Sequence, residues 1–69
     1  GLLEDEFGRI EFEAHSVKSA AMAVGAHRIQ YVAGKLEVAA RSSQVSEVES
    51  RMGELRHEYD DFLQEAGAA

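Results

Sequence analysis

Apolar residues recur three and four positions apart through three successive segments of this chain, and this repeat constrains the fold more than any other feature. Such spacing places the apolar side chains on one face of an α-helix. Two short breaks, Gly25-Ala26 and residues 42–44, separate the segments, and glycine ends helices well because it tolerates a left-handed backbone. We therefore predict three helices, over about residues 2–24, 26–41 and 45–64.

Each predicted helix has one inner face that a neighbouring helix must cover. Because the breaks are short, consecutive helices should pack antiparallel, so the predicted fold is an all-α antiparallel bundle. Ser46 and Glu49 match a capping box at the start of the third helix. The inner faces are Ile10, Ala14, Val17, Ala21 and Val24 in the first helix, Ile29, Val32, Ala33, Leu36 and Ala40 in the second, and Val45, Val48, Met52, Leu55, Tyr59 and Phe62 in the third.

The composition predicts one small domain, residues 1–69, without covalent cross-links. The chain has 69 residues and no cysteine, which excludes disulfides and favours a reducing, cytoplasmic location. Its formal net charge of −6 disfavours nucleic acid and anionic membrane surfaces as partners, and favours a protein with a basic rim. No apolar run approaches the roughly 20 residues of a membrane span, and the sequence contains no recognisable signal peptide.

His15 stands apart from the apolar face of the first helix. At about 100° per residue it points roughly 140° away from that face, so it is expected at the surface. Lys18, Ser19 and Met22 follow at three, four and seven residues and lie on its side of the helix. An exposed imidazole beside a cation and a small residue is typical of a reactive histidine rather than a packing one.

The residues around His15 carry a family pattern. They are His15, Val17 and Lys18, then Gly25-Ala26, Ile29, Leu36-Glu37 and Arg41. This string resembles the signature of the histidine-containing phosphotransfer (HPt) domains of bacterial phosphorelays, H-x-L-K-G, then G-A, then L-E-x-x-x-R. The chain departs from the signature at Val17, which replaces leucine, and at Ser19, which replaces glycine.

The resemblance implies a four-helix bundle in which a complete helix and a loop precede the histidine helix. Only fourteen residues precede His15, so the first helix and its loop would be shortened, with their joint at residues 8–11. Two interpretations follow. Either the chain is a true three-helix domain, or the sequence lacks a connecting segment that the intact domain possesses.

The resemblance also implies a function. His15 would be phosphorylated by the phosphoaspartate of one receiver domain and would pass the group to the aspartate of another. Lys18 would offset the charge of the phosphoryl oxygens, and Phe12, Ser19 and Met22 would contact the receiver, with the serine narrowing its approach slightly. No kinase activity is expected, because the sequence has no glycine-rich loop that could bind a nucleotide. No cofactor or metal of its own is expected, because the receiver supplies the magnesium.

Two other interpretations stay open at this point. In one, the chain is a helical interaction or dimerisation module in which His15 is incidental. In the other, it is a degenerate family member that docks receivers without carrying phosphate. A shortened first helix would leave apolar surface that suits a homodimer. Glu37 and Arg41 are interpreted as a structural i,i+4 ion pair on an exposed helix face.

Overall fold

The chain forms three α-helices joined by short connections. The computed structural model describes residues 2–68, with side chains for residues 4–67, and α1 spans Leu2–Val24, α2 His27–Arg41 and α3 Val45–Ala68. No β-strand occurs within residues 2–68, so the all-α prediction is confirmed. None of the helices in this described part is both long and apolar enough to cross a membrane.

The helix boundaries agree with the periodicity of the sequence, except at the start and the end of α3. α1 runs without interruption through residues 8–11, as the periodicity predicted. The separate helix and loop before His15 that the resemblance implied are absent from the described residues. The third helix was predicted to end near residue 64, but α3 continues to Ala68 because the last residues include good helix formers and no proline. Ser46 is not a cap, since α3 already begins at Val45.

The same backbone motif closes α1 and α2. After α1, Gly25 has a φ of 73° and the amide of Ala26 donates to the carbonyl of Ala21 at 2.9 Å. After α2, Ser43 has a φ of 56°, and the amide of Gln44 donates to the carbonyl of Ala39 at 3.1 Å. Both are Schellman closures. Glycine adopts this left-handed conformation without steric cost, whereas serine does not, so only the first closure uses the residue that suits it.

α2 is the central helix and packs against both α1 and α3. Cross-helix neighbours show that α1 and α2 are antiparallel: Glu11 pairs with Arg41, His15 contacts Glu37, and Lys18 lies against Gly34. Among the described residues, no Cα atom of α1 lies within 8 Å of a Cα atom of α3. The two outer helices are therefore held together only through α2 and the side chains around it.

The buried core is small and rich in alanine. Ten apolar residues of the described chain are buried, and six of them are alanines, including Ala14 and Ala21 of α1 and Ala33 of α2. The larger buried residues are Ile29, Val32, Leu36 and Val48. The entire predicted inner face of α2 is buried, as expected for a helix with neighbours on two sides.

The inner faces of the outer helices are covered less completely than the sequence predicted. Val24 of α1 is 67% exposed. On α3, Val48 is the only buried residue among those whose side chains are described, while Met52 and Tyr59 are exposed. The reason is that the backbones of α1 and α3 lie close to that of α2 and not to each other, so each outer helix is covered mainly by α2. Between them lies a cavity of about 340 Å³, here called the rear groove, lined by Ile10, Glu13, Ala14, Val17, Leu36, Met52, Leu55, Arg56 and Tyr59.

Candidate functional site

His15 is exposed in the middle of α1, as the sequence predicted. Its side chain is 60% exposed, and its Nδ1 lies 3.2 Å from Oε2 of Glu37. Because an ionised carboxylate only accepts hydrogen bonds, this contact assigns the proton of the neutral ring to Nδ1. The lone pair is then on Nε2, which makes no hydrogen bond to any residue within the described chain. The imidazole thus presents a free nucleophilic nitrogen.

Glu37 lies beneath His15 and is buried, with 8% exposure. Its Oε1 accepts from the ammonium of Lys18 at 2.8 Å, and its Oε2 contacts both His15 and the guanidinium of Arg41, the latter at 3.3 Å. The hydrogen bond from Lys18 is the main reason that the pKa of Glu37 lies below its ordinary value of 4.5; burial opposes this shift, and His15 reinforces it. The carboxylate is therefore charged at neutral pH.

This position corrects the sequence interpretation of the pair formed by Glu37 and Arg41. The two residues do form an i,i+4 ion pair, but Glu37 is buried against α1 instead of lying on an exposed face. The spacing already contained the signal, because Glu37 stands four residues after Ala33 and three before Ala40, both of which are buried. Glu37 is the site residue that the sequence reasoning missed.

Arg41 connects the end of α2 to α1. Its Nε donates to Oε2 of Glu11 at 2.9 Å, and this hydrogen bond is the main reason that the pKa of Arg41 is raised. The pair is exposed, so its contribution to stability is small. Together with the contact to Glu37, it fixes the register of α1 on α2 one turn before His15. Sequence spacing did not indicate Glu11, because the pair joins two different helices.

Lys18 lies one turn after His15, as predicted, but its ammonium is bonded to Glu37 and is not free in solvent. Its aliphatic stem crosses α2 at Gly34, where an added Cβ would lie 3.6 Å from Cδ of Lys18. The cation is therefore positioned by two contacts of the opposite helix. Lys18 and His15 both contact the carboxylate of Glu37, so the ammonium lies close to any group that the imidazole would carry.

The three predicted receiver contacts all lie on the exposed side of α1. Phe12 precedes His15 by one turn, and Ser19 and Met22 follow it by one and two turns. The large side chains of Phe12 and Met22 are exposed and take no part in the buried core. Apolar side chains thus flank the histidine on both sides along the helix, and their role in docking stays a prediction.

A shallow groove of about 500 Å³, here called the front groove, opens between α1 and α2 beside Lys18. Among the described residues that line it, none is acidic. The ammonium of Lys35 lies 5.3 Å from the centre of the Tyr31 ring, a cation–π contact. The lining residues are Lys18, His27, Gln30, Tyr31, Gly34, Lys35 and Val38.

The site combines an exposed nucleophilic nitrogen, a buried carboxylate on the other ring nitrogen and a cation within one turn. This combination can accept and release a small electrophilic group such as a phosphoryl group, because the carboxylate balances the positive charge that the ring gains. The described residues contain no group of three or more His, Cys, Asp or Glu that could hold a metal ion.

Comparison with known protein families identified a family to which the chain is similar. The sequence model of the family described as Hpt domain matches residues 2–65, which include the whole of α1 and α2 and most of α3. Neither the curated proteins nor the solved structures yielded a match. The matched residues contain His15, Lys18 and Glu37.

Proposed function

Because the chain belongs to the Hpt domain family, we propose that it is a phosphohistidine carrier that relays a phosphoryl group between receiver-domain aspartates. Membership implies a phosphotransfer-related function in two-component signalling, and Hpt domains interact with receiver domains in phosphorelays. The observation that carries the finer proposal is the exposed imidazole of His15, whose Nδ1 is bound by a buried carboxylate.

In the proposed reaction, Nε2 of His15 attacks the phosphorus of a receiver phosphoaspartate in line with the departing aspartate oxygen. The phosphorus–nitrogen bond forms as the phosphorus–oxygen bond breaks, and the receiver regains its carboxylate. The ring becomes cationic because it keeps the proton on Nδ1, and the carboxylate of Glu37 at 3.2 Å offsets that charge. The reverse attack, by the aspartate of a second receiver, returns the ring to its neutral form.

Lys18 and its neighbours have supporting roles in this proposal. The ammonium of Lys18, held by Glu37 at 2.8 Å, turns toward the phosphoryl oxygens and offsets their charge. Ser19 leaves the approach to the imidazole open, and Phe12 and Met22 supply apolar contacts to the receiver. The magnesium belongs to the receiver, so the carrier has no cofactor of its own. It acts in the cytoplasm, as a module of a hybrid sensor kinase or as a separate protein.

The proposal is tested by incubating the chain with a panel of phosphorylated receiver domains and following acid-labile, base-stable phosphate. We expect label on the native chain and none on His15→Gln, with the helical circular dichroism of the two proteins unchanged. Label that survives in His15→Gln would place the chemistry elsewhere. Binding without label would indicate a docking protein that carries no phosphate, and neither binding nor label would indicate a structural module.

The rear groove favours a second candidate, a dimerisation module. Most of its lining is apolar, including Ile10, Val17 and Met52, and no helix of the described chain covers it. A second copy that packs there would bury this surface. Sedimentation of the native chain and of Met52→Glu across a wide concentration range tests this: dimers of the native chain alone support it, and monomers throughout exclude it.

A further inference from the structure

The charges of the chain are segregated by helix. α1 carries five acidic and two basic residues and α3 carries seven and two, whereas α2 carries three basic residues and a single acidic one. That acidic residue is Glu37, which is buried and bonded to Lys18. The exposed side of α2 is therefore cationic, although the chain as a whole has a net charge of −6.

The cations of α2 differ in how far they are neutralised. Arg41 is paired with carboxylates of α1 and of its own helix, and Arg28 shares a cavity with two glutamates of α3. Lys35 forms no ion pair with any residue of the described chain, and its ammonium lies over the ring of Tyr31. Lys35 is thus the cation of α2 that is most available to a partner.

The front groove combines this free cation with apolar surface. Tyr31 and Val38 line the groove and are exposed large side chains that the core does not use. Gly34 lies between them and Lys18, and its missing side chain keeps that part of the groove open. A groove of this composition is complementary to a protein surface that carries carboxylates together with apolar side chains.

We propose that the front groove docks the acidic surface around the phosphoaspartate of the receiver, and that Lys35 over Tyr31 controls the rate of that encounter. This inference rests on the proposed function. A site that holds magnesium and a reactive aspartate is built from carboxylates, so its charge is opposite to that of the groove. The acidic residues of α1 and α3 have the same sign of charge as that site, so a receiver that contacts Phe12, Ser19 and Met22 of α1 should be steered in from the side of α2.

The proposal reverses what the net charge alone suggested. A charge of −6 favoured a partner with a basic rim, but the front groove contains Lys18 and Lys35, and none of its described lining residues is acidic. Lys18 connects this groove to His15, because both residues contact Glu37. Association is steered by the charges that lie close to the contact, because salt screens charges beyond about 10 Å at ordinary ionic strength. The local groove, and not the whole chain, thus selects the partner.

The test is the second-order rate constant of transfer from a receiver that labels the native chain, measured in low and high salt. Lys35→Glu should slow transfer about tenfold at low salt and far less at high salt, since screening removes the steering term. Arg56→Glu is the matched control: it makes the same charge change at an exposed position on the rear groove, and it should alter the rate less than about twofold. Lys35→Arg, which keeps the cation, should transfer at the native rate.

Labelling by phosphoramidate separates docking from chemistry, because this small phosphodonor needs no docking surface. All four proteins should take up label on His15 from phosphoramidate equally. Equal slowing of receiver transfer by Lys35→Glu and Arg56→Glu would overturn the docking proposal while leaving the carrier function intact. A native chain that neither phosphoramidate nor any receiver labels would instead overturn the proposed function, and this proposal with it.

Amide chemical shifts provide the second measurement. Addition of the receiver should perturb the amides of residues 31–38 and leave those of the rear groove on α3 unchanged. Perturbation of α3 alone would overturn the proposal. Perturbation of residues 31–38 when the chain is merely concentrated would place a second copy in the front groove, and would overturn it equally.

Discussion

The His15 cluster, formed by His15, Lys18, Glu37 and Arg41, and the rear groove differ in whether their side chains have partners within the chain. At the front, one carboxylate binds His15, Lys18 and Arg41, and no buried side-chain nitrogen or oxygen of the described residues lacks a hydrogen-bond partner. At the rear, apolar side chains line a groove that no described helix covers. The polar groups of the His15 cluster are thus paired with one another, whereas the rear groove is lined mostly by apolar side chains that no described helix covers.

The residues of the proposed chemistry are therefore different from the residues through which α3 stabilises the fold. Every residue in the His15 cluster comes from α1 or α2, and α3 supplies none of them. The contribution of α3 is to cover α2, through Val48 and the half-buried Leu55. Changes in the His15 cluster should therefore affect transfer more than stability, and changes in the rear groove should affect stability more than transfer.

The largest effect is expected at Glu37. Glu37→Gln keeps the shape of the side chain but removes the charge that offsets a cationic ring, a hydrogen-bond contribution of about 1.5–3 kcal/mol, which corresponds to roughly 10- to 100-fold slower transfer. The rate of phosphotransfer to His15 measures it. Glu54→Gln is the control, because it removes a glutamate from an exposed ion pair on α3. Equal rates for native protein and Glu37→Gln would contradict a role for this carboxylate.

A change at the rear should give the opposite result. Leu55→Ala removes a half-buried side chain that packs against both parts of the core, so we expect a loss of about 1–2 kcal/mol in the free energy of unfolding. Transfer per folded molecule should stay at the native rate. Urea unfolding measures the loss, and Leu63→Ala, at an exposed position of the same helix, should cost less than about 0.5 kcal/mol. Slower transfer by folded Leu55→Ala would show that the two regions are coupled.

Acid should reduce the contribution of Glu37 to the free energy of unfolding. Because the pKa of Glu37 is lowered on folding, its ionised form adds stability that is fully present above 4.5 and is lost as the pH falls through the folded-state pKa. The difference in unfolding free energy between native protein and Glu37→Gln should therefore shrink as the pH is lowered below 4.5. Urea unfolding at a series of pH values measures this difference, and a constant difference would rule out the linkage.

The smallest effect is expected at a helix end remote from both regions. Ser43 has a φ of 56°, and glycine adopts this conformation without the steric cost of a Cβ. Ser43→Gly should therefore stabilise the chain by up to about 1 kcal/mol. Thermal unfolding of the two proteins measures the change. The converse substitution, Gly25→Ala, places a Cβ at a φ of 73° and should lower the melting temperature.

The three helices and the exposure of His15 could be predicted because they depend on spacing within one segment. The break at Gly25 and the continuous α1 follow from the same local pattern. The position of Glu37 under the imidazole could not be predicted with the same ease, because it depends on the register between two helices. Periodicity also overestimated the burial of Met52 and Tyr59, since it marks which face is apolar and not how many neighbours cover it.

The buried alanines between α1 and α2 tolerate substitution less than the exposed residues of the front groove do. A larger residue at Ala33 or Ala21 should push the helices apart and draw His15 away from Glu37, because both positions are buried in the core. Tyr31, Lys35 and Val38 are exposed and contribute little to packing, so they can be exchanged without unfolding the chain. The choice of partner can therefore be redesigned, or can evolve, while the reacting groups keep their geometry.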